Sequence, residues 1–215
     1  MSPAREQPHG SEPTRDDSAR ERILNRLRAA TGSRPASAHP GPLITGGPDV
    51  TDPRARLIER LQAAGAEVVE LEDESAVRTW LEEFTADFES AAIGAGVPDH
   101  LRPDLPSAPP EQAPLGVSLA RVAVAQTGSL LLDSREGRRL QLLPPTHLVW
   151  VLPERIVPRL DEALAATAGD LPAALALHSG PSKSADIGMV TVQGVHGPGR
   201  LVAVLLFTSG AGSSL

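Results

Sequence analysis

Residues 52–71 read DPRARLIERLQAAGAEVVEL and carry the signals of a helix followed by a strand. Asp52 is a favourable N-cap, Pro53 suits the first helical position, and Gly65 is typical of the residue that follows a helix. Ala66 to Leu71 then has the composition of a short strand. Within the helical part the apolar residues repeat at helical spacing: Leu57, Ile58 and Leu61. This stretch therefore predicts the first helix and strand of the main domain.

The next segment repeats the same order of elements. Helical spacing over Glu74 to Phe84 precedes a strand pattern over Ser90 to Ile93. Such alternation is typical of parallel strands covered by helices on both faces. The second half of the chain adds a predicted helix at 153–167 and strands at 122–125, 130–132, 147–152, 173–178, 189–192 and 201–207. The predicted fold class is therefore α/β, with helices on both faces of a parallel sheet.

The proline, glycine and serine content predicts one domain with flexible ends. Residues 1–47 are expected to be a flexible N-terminal arm with one short helix, for which Ser18 and Glu21 form a capping box. Residues 48–210 are predicted to form a single α/β domain, and residues 211–215 a disordered tail. The 215 residues suffice for one full-sized domain and an arm.

Composition and charge exclude several classes of protein. The formal net charge is −7 and aromatic residues make up 2% of the chain, so a basic groove or a stacking platform for nucleic acid is not expected. The longest apolar stretch near the end, 201–207, is far shorter than the roughly 20 residues that cross a bilayer. The first residues are polar, without the apolar core of a secretory signal. We therefore expect a cytoplasmic protein with no nucleic-acid and no membrane partner.

Cysteine is absent from the sequence. This excludes disulfides, thiolate zinc sites, a cysteine nucleophile and the usual ligands of iron–sulfur clusters. If the protein takes part in redox chemistry, another chain must carry the metal. We expect no cofactor in this chain.

Residues 180–188 read GPSKSADIG and are the best candidate for a ligand-binding loop. Gly180 lets the backbone come close to a ligand, Ser182 offers a hydroxyl, and Lys183 adds a cation. Ser184 can cap a following helical turn, whose backbone N–H groups would favour a small anion. Asp186 would hold Lys183, a backbone N–H or a substrate hydroxyl. The alternative is an ordinary Gly-Pro turn.

A second glycine turn is a candidate for the opposite wall of the same pocket. Thr127 and Ser129 flank Gly128 between two predicted strands, although such a hairpin turn needs no function. If a strand ends at His178, the Gly180 loop lies beyond its carboxyl end, where α/β sheets bind ligands. An arginine cluster at positions 135, 138 and 139 either contacts an acidic partner or is simply solvated.

Histidines offer one acid–base candidate and no metal motif. His196 lies between glycines that would expose it, and either acts on the ligand or is a plain turn residue. His147, His178 and His196 with Asp186 would have to converge to hold a metal, and their spacing contains no short paired motif. We therefore predict no metal site and leave the catalytic residues unassigned.

Four motifs, taken in order, resemble the lactate-utilisation protein C family, the single-domain branch of the LUD-domain proteins. The resemblance covers residues 51–207, and the motifs are AQTGSL at 125–130, LLPPTH at 142–147, GPSKSADI at 180–187 and GVHGP at 194–198. It implies a three-layer α/β/α fold with a mixed sheet, similar to the sugar-phosphate isomerase and coenzyme A transferase group. It also implies a role in cytoplasmic oxidation of L-lactate to pyruvate, with iron–sulfur clusters on partner proteins.

Two positions depart from the family pattern. Gln126 and Gly188 stand where the family usually has acidic residues, and neither can carry out general acid–base work. Three functions therefore stay open: an accessory component of lactate oxidation, a free-standing enzyme acting on a sugar phosphate, an acyl-coenzyme A or a folate, and a ligand-sensing or scaffold module without chemistry.

Overall fold

The computed structural model describes residues 15–31, 49–185 and 191–207. The chain divides into two compact units, 1–45 and 46–215. In the first unit one helix is described, α1 (Arg15–Thr31), which begins upstream of Ser18. Ser18 therefore lies inside the helix, and the capping box predicted there is wrong. Among the described helices, none combines the length and the apolar character needed to span a membrane.

The second unit contains the remaining helices and strands. The helices are α2 (Pro53–Ala64), α3 (Glu74–Thr85) and α4 (Leu160–Thr167). The strands are β1 (Glu67–Leu71), β2 (Ala91–Ile93), β3 (Leu115–Leu119), β4 (Val122–Val124), β5 (Ser129–Asp133), β6 (Thr146–Val151), β7 (Ile156–Val157), β8 (Leu175–His178), β9 (Lys183–Ala185), β10 (Thr191–Gln193) and β11 (Arg200–Leu206).

The predicted caps of α2 are confirmed. The Asp52 carboxylate accepts a hydrogen bond of 3.0 Å from the Ala55 N–H, and Gly65 takes the left-handed conformation, with φ of 94°. α3 has an equivalent N-cap, since the Asp73 carboxylate accepts from the Ala76 N–H at 2.8 Å. These contacts satisfy N–H groups that have no partner inside a helix.

Five parallel strands form the main sheet, in the order β1-β11-β6-β3-β2. A second sheet has the order β7-β4-β5-β8 and is mixed, because β5 runs antiparallel to both of its neighbours while β7 and β4 are parallel. The α/β class is confirmed. The mixed pairing expected of it belongs to the second sheet, and β9 and β10 form a separate antiparallel pair.

The core lies on both faces of the main sheet. On one face Leu148 and Trp150 pack with α3, through Val77 and Leu81. On the other face Val149 and Val151 pack with α2 and with the inner side of the second sheet. Leu57 and Leu61 of α2 are fully buried there, and each contributes about 2 kcal/mol to stability.

The single helix predicted at 153–167 is wrong in its first half. Pro153–Arg155 forms a 3-10 turn, β7 follows, and α4 begins only at Leu160. Pro158 has no N–H and disfavours the helical conformation at Val157, so the chain stays extended there. Val157 instead pairs with β4, and its carbonyl accepts from the Ala125 N–H at 2.9 Å.

The helical turn predicted after Ser184 falls mainly on residues 186–190, which lie outside the described residues. Ser184 lies in β9, opposite Val192 of β10. The strand ending at His178 exists as β8, but it pairs antiparallel with β5 in the second sheet. The Gly180 loop therefore does not lie at the carboxyl ends of the parallel strands, where the sequence analysis placed it.

Candidate functional site

The two glycine turns predicted to face each other do come together. The Ser129 hydroxyl lies 2.8 Å from that of Thr127 and 2.8 Å from that of Ser179. A chain of three hydroxyl groups thus links the β4–β5 turn to the start of the Gly180 loop. Ser129 is buried, and this chain satisfies its hydroxyl within the protein.

The glycines of these turns make room for helix α2. A Cβ atom on Gly128, whose φ is +66°, would lie 2.5 Å from Cβ of Arg60. A Cβ atom on Gly180 would lie 2.7 Å from the Ala64 carbonyl oxygen. Both distances are shorter than real Cβ atoms adopt, so only glycine allows the turns to approach the helix this closely.

Two donors of the Gly180 loop, the Ser182 N–H and the Lys183 ammonium, have partners inside the protein. The Ser182 N–H donates to the Pro198 carbonyl at 2.8 Å, and the Gly194 N–H donates to the Ser182 carbonyl at 2.9 Å. The Lys183 ammonium donates to the Ala64 carbonyl at 2.8 Å, at the C-terminal end of α2. Cations stabilise that end of a helix, which gives Lys183 a structural role.

Some of the remaining residues predicted to bind a ligand are described by the structure, and others are not. His196 is exposed in the turn between β10 and β11, and Ser184 is partly buried in β9. Asp186 and Gly188 lie outside the described residues. Gln126, at the other departure from the family pattern, follows β4 and is partly exposed. Their roles in binding a ligand stay predictions.

His147 is buried, and the partly buried His178 packs against it. Their rings meet edge to face at 5.7 Å, and His147 Nε2 lies 2.9 Å from the Ser118 hydroxyl, while its Nδ1 has no hydrogen-bond partner among the described residues. Burial lowers the pKa of His147 to about 3, with a smaller contribution from His178, and burial also lowers the pKa of His178. Both rings are therefore neutral at pH 7. The described residues contain no group of three or more His, Asp or Glu placed to hold a metal ion.

A pocket of about 540 Å³ lies at the carboxyl ends of β2 and β3, the edge where α/β sheets bind ligands. We call it the carboxyl-edge pocket. It is lined by Ala95, Gly96, Leu119, Arg121, Asp133, Arg135, Glu136, Arg155 and Asp170. A groove of about 640 Å³ beside α3 is larger, but its charged side chains Glu74, Arg78 and Asp99 are 71, 73 and 96% exposed. Such solvated charges bind ligands weakly, so the carboxyl-edge pocket is the better candidate.

Four charged residues of the carboxyl-edge pocket neutralise one another. Arg121 lies 2.7 Å from Asp133 and 3.3 Å from Asp170. Arg135 makes two hydrogen bonds of 2.7 Å to the Asp170 carboxylate, and this contact is the main cause of the lowered pKa of Asp170. All four side chains line the pocket.

Glu136 is held differently: among the residues that the structure describes, only backbone N–H groups donate to its carboxylate. Its carboxylate accepts from the Gly96 N–H at 2.8 Å and more weakly from the Leu119 N–H at 3.4 Å. Cβ atoms on Gly94 and Gly96 would lie 2.0 and 2.3 Å from the carboxylate oxygens, so the two glycines form a cradle that fits this group. Burial raises the pKa of Glu136 in spite of these hydrogen bonds.

Arg155 follows β6 and approaches the same pocket. Its guanidinium donates to the Ala120 carbonyl at 2.8 Å. Among the described residues it forms no ion pair, although its charge acts on the pKa of Glu136. Of this pocket the sequence analysis considered only Arg135. The signal for the rest was Gly94-Ala95-Gly96 directly after a predicted strand.

A family model described as the LUD domain matches residues 110–206. Lactate utilization protein C of Halalkalibacterium halodurans is 31% identical over 168 residues, which cover 73% of this chain and 73% of that protein. The chain belongs to the lactate utilization protein C family. The family resemblance inferred from the motifs is confirmed, and the carboxyl-edge pocket from Leu119 onward lies within the matched domain.

Two other family members match over a shorter region. The proteins of Geobacillus kaustophilus (lactate utilization protein C) and Bacillus mycoides (lactate utilization protein C 1) are 35 and 39% identical over 104 and 102 residues. These matches span less than half of the relatives, 43 and 44% of their lengths. A crystal structure of a DUF162 family protein from Deinococcus radiodurans shares the fold, with a TM-score of 0.56 and 20% identity over 72% of this chain and 96% of that one.

Proposed function

We propose that this protein is an accessory component of an L-lactate oxidation system whose iron–sulfur clusters are carried by partner proteins. The observation that carries the proposal is the similarity to lactate utilization protein C over 73% of both chains. The cytoplasmic location expected from the sequence, and a pocket for a small anionic ligand, are parts of the same proposal.

The absence of cysteine supports the assignment of the iron–sulfur clusters to partner proteins. Oxidation of L-lactate to pyruvate removes a hydride equivalent and a proton, and the electrons need an acceptor. The chain has no thiolate that could ligate an iron–sulfur cluster. A partner that carries such clusters would accept the electrons, while this chain would contribute binding or assembly.

Growth on L-lactate tests the proposal. Deletion of the gene, in an organism without a second copy, is expected to abolish growth on L-lactate and to leave growth on pyruvate intact. A plasmid copy should restore growth, and the tagged protein should co-purify with partners that contain iron. Normal growth of the deletion strain on L-lactate would refute the proposal.

A free-standing enzyme acting on a small anionic substrate is the second candidate. Glu136 favours it, because a half-buried carboxylate with a raised pKa in a pocket is suited to proton transfer. Turnover of sugar phosphates, acyl-coenzyme A or folates by the purified protein alone would support this alternative. Absence of turnover across that panel, with no thermal shift, would eliminate it.

A further inference from the structure

We propose that the carboxyl-edge pocket binds a small 2-hydroxy acid, with the ligand carboxylate on Arg155 and its hydroxyl group on Glu136. The inference rests on the proposed function for the choice of ligand class. The residues themselves come from the pocket geometry, since neither family motifs nor the predicted Gly180 loop include Arg155 or Glu136.

Of the charged residues described in the pocket, four form ion pairs with one another, and two others, Arg155 and Glu136, do not. Arg121 and Arg135 are bound by Asp133 and Asp170, so neither pair is free to receive a ligand without breaking an ion pair. Arg155 and Glu136 take part in no ion pair among the described residues, yet both line the same pocket. A ligand placed between Arg155 and Glu136 would give each of them an interaction partner.

Arg155 is suited to a carboxylate. A guanidinium has several N–H groups in one plane, and here one of its nitrogen atoms donates to the Ala120 carbonyl. This contact fixes the plane and leaves the other N–H groups without a partner within the described part of the chain. Because Arg155 is partly buried, a carboxylate there would meet a cation that water screens only in part.

Glu136 is suited to a hydroxyl group. Its carboxylate is held between Gly94 and Gly96 and, within the described part of the chain, accepts hydrogen bonds only from backbone N–H groups, so lone pairs remain for a ligand donor. A negative charge at this position repels a ligand carboxylate. The ligand should therefore bind in one orientation, with its carboxylate toward Arg155 and its hydroxyl toward Glu136.

The same charges disfavour phosphate. The pocket walls carry Asp133, Glu136 and Asp170 against Arg121, Arg135 and Arg155, so the formal charges balance. Among the described residues that line the pocket, a dianion would meet only one cation outside an ion pair, and it would lie close to the Glu136 carboxylate. A monoanion that also donates a hydrogen bond matches this distribution better.

Binding of small acids to the purified full-length protein tests the proposal by calorimetry or ligand-observed NMR. L-Lactate is expected to bind saturably, and propionate, which lacks the hydroxyl group, about tenfold more weakly. Inorganic phosphate should not displace L-lactate. Absence of saturable L-lactate binding, or equal binding of propionate, would overturn the assignment.

Variants separate the two contacts. R155Q should weaken both acids at least about tenfold, whereas E136Q should weaken L-lactate but not propionate, whose carboxylate is then no longer repelled. R138Q and E154Q are matched controls, because both residues are exposed and outside the pocket. If R155Q fails to fold, R155K keeps the charge without the fork and should still weaken L-lactate. Unchanged L-lactate affinity in the folded Arg155 variant, or loss of binding in K183A instead, would overturn the proposal.

The growth experiment and the binding experiment can refute the proposed function and the proposed site independently of each other. A deletion strain that cannot grow on L-lactate, combined with a purified protein that does not bind it, would reject this site and retain the proposed function. Specific binding that requires Arg155, combined with normal growth of the deletion strain, would reject the proposed function and retain the site.

Discussion

Two pairs of glycines in this protein make room for different neighbours. Gly128 and Gly180 lie against helix α2, where a Cβ atom would meet Arg60 or the Ala64 carbonyl. Gly94 and Gly96 lie against the carboxylate of Glu136. The first pair brings backbone close to backbone, and the second leaves a charged side chain at the edge of a pocket.

The difference matters for reading function from sequence. A glycine in a loop shows that something comes close, but it does not show what. At the Gly180 loop the Ser182 N–H and the Lys183 ammonium are hydrogen-bonded within the protein. At Gly96 the carboxylate of Glu136 can still accept further hydrogen bonds. The following predictions test this contrast.

Replacement of Gly128 by Ala should produce the largest loss of stability. The new Cβ would clash with α2 and also strain a positive φ, at a combined cost of about 3 kcal/mol. Gly137→Ala is the matched control, because Gly137 has φ of +100° but its Cβ would meet only Leu140, at 3.5 Å. Urea denaturation of both variants measures the difference. Equal losses would show that the close approach to α2 contributes nothing.

Acid should destabilise the protein through His147, which is buried in β6 of the main sheet. The pKa of His147 is about 3 in the folded protein and 6.5 as the ordinary value, so below pH 6.5 the unfolded chain binds the extra proton. Stability should therefore fall as the pH drops from 6.5 toward 3, by about 1.4 kcal/mol per pH unit for this group.

Urea denaturation between pH 6 and 4 checks this slope. His147→Gln should flatten it, while His196→Gln, at an exposed histidine, should leave it unchanged. Glu136 acts in the opposite direction. Because its folded pKa is raised above 4.5, its contribution is present below that pH and is lost as the pH rises through the folded pKa. A slope that is the same in wild type and His147→Gln would contradict the assignment.

Replacement of Lys183 by Met should cost about 1 kcal/mol of stability, because the variant keeps the apolar stem and loses the hydrogen bond to the Ala64 carbonyl. Lys183→Arg retains a donor and should recover part of the loss. Thermal denaturation without added anion measures both. If the Met variant is as stable as wild type, the contact with α2 is not structural, and an anion-binding role for Lys183 gains support.

Replacement of Gly96 by Ala should have the smallest effect on stability and a clear effect on Glu136. The new Cβ would lie 2.3 Å from a carboxylate oxygen, so the side chain must move toward solvent. The pKa of Glu136 should then fall toward its usual value, as measured by carboxyl NMR. Gly169→Ala is the control, since its Cβ would meet nothing within 4 Å. An unchanged Glu136 pKa would mean that the cradle does not fix this group.

Local signals in the sequence predicted much of the fold. The caps of α2, the strand after it and the hairpin around Gly128 depend on residues that are neighbours in the chain, and all three are confirmed. The helix predicted across Pro158 failed, because its apolar spacing also suits a strand that pairs with β4. That choice depends on a distant partner, which periodicity does not reveal.

The candidate site was harder to predict for the same reason. Gly96 and Glu136 are 40 positions apart in sequence, and they meet only because β2 and the segment after β5 end at the same place. Asp186, in contrast, drew attention through its immediate neighbours in a polar loop. Analysis of neighbouring residues in the sequence pointed to the Gly180 loop, which is hydrogen-bonded within the protein. It missed the carboxyl-edge pocket, because that pocket is assembled from the ends of several strands.

The position of β11 has a consequence for how the chain is made. Its residues 200–206 lie between β1 and β6 in the main sheet, although β1 is synthesised first among the strands. Until the ribosome has released this segment, β1 has no partner in that sheet and β6 keeps an unpaired edge. Premature termination before Arg200 would thus leave a chain with unpaired strand edges, which is prone to aggregate, rather than a smaller folded domain.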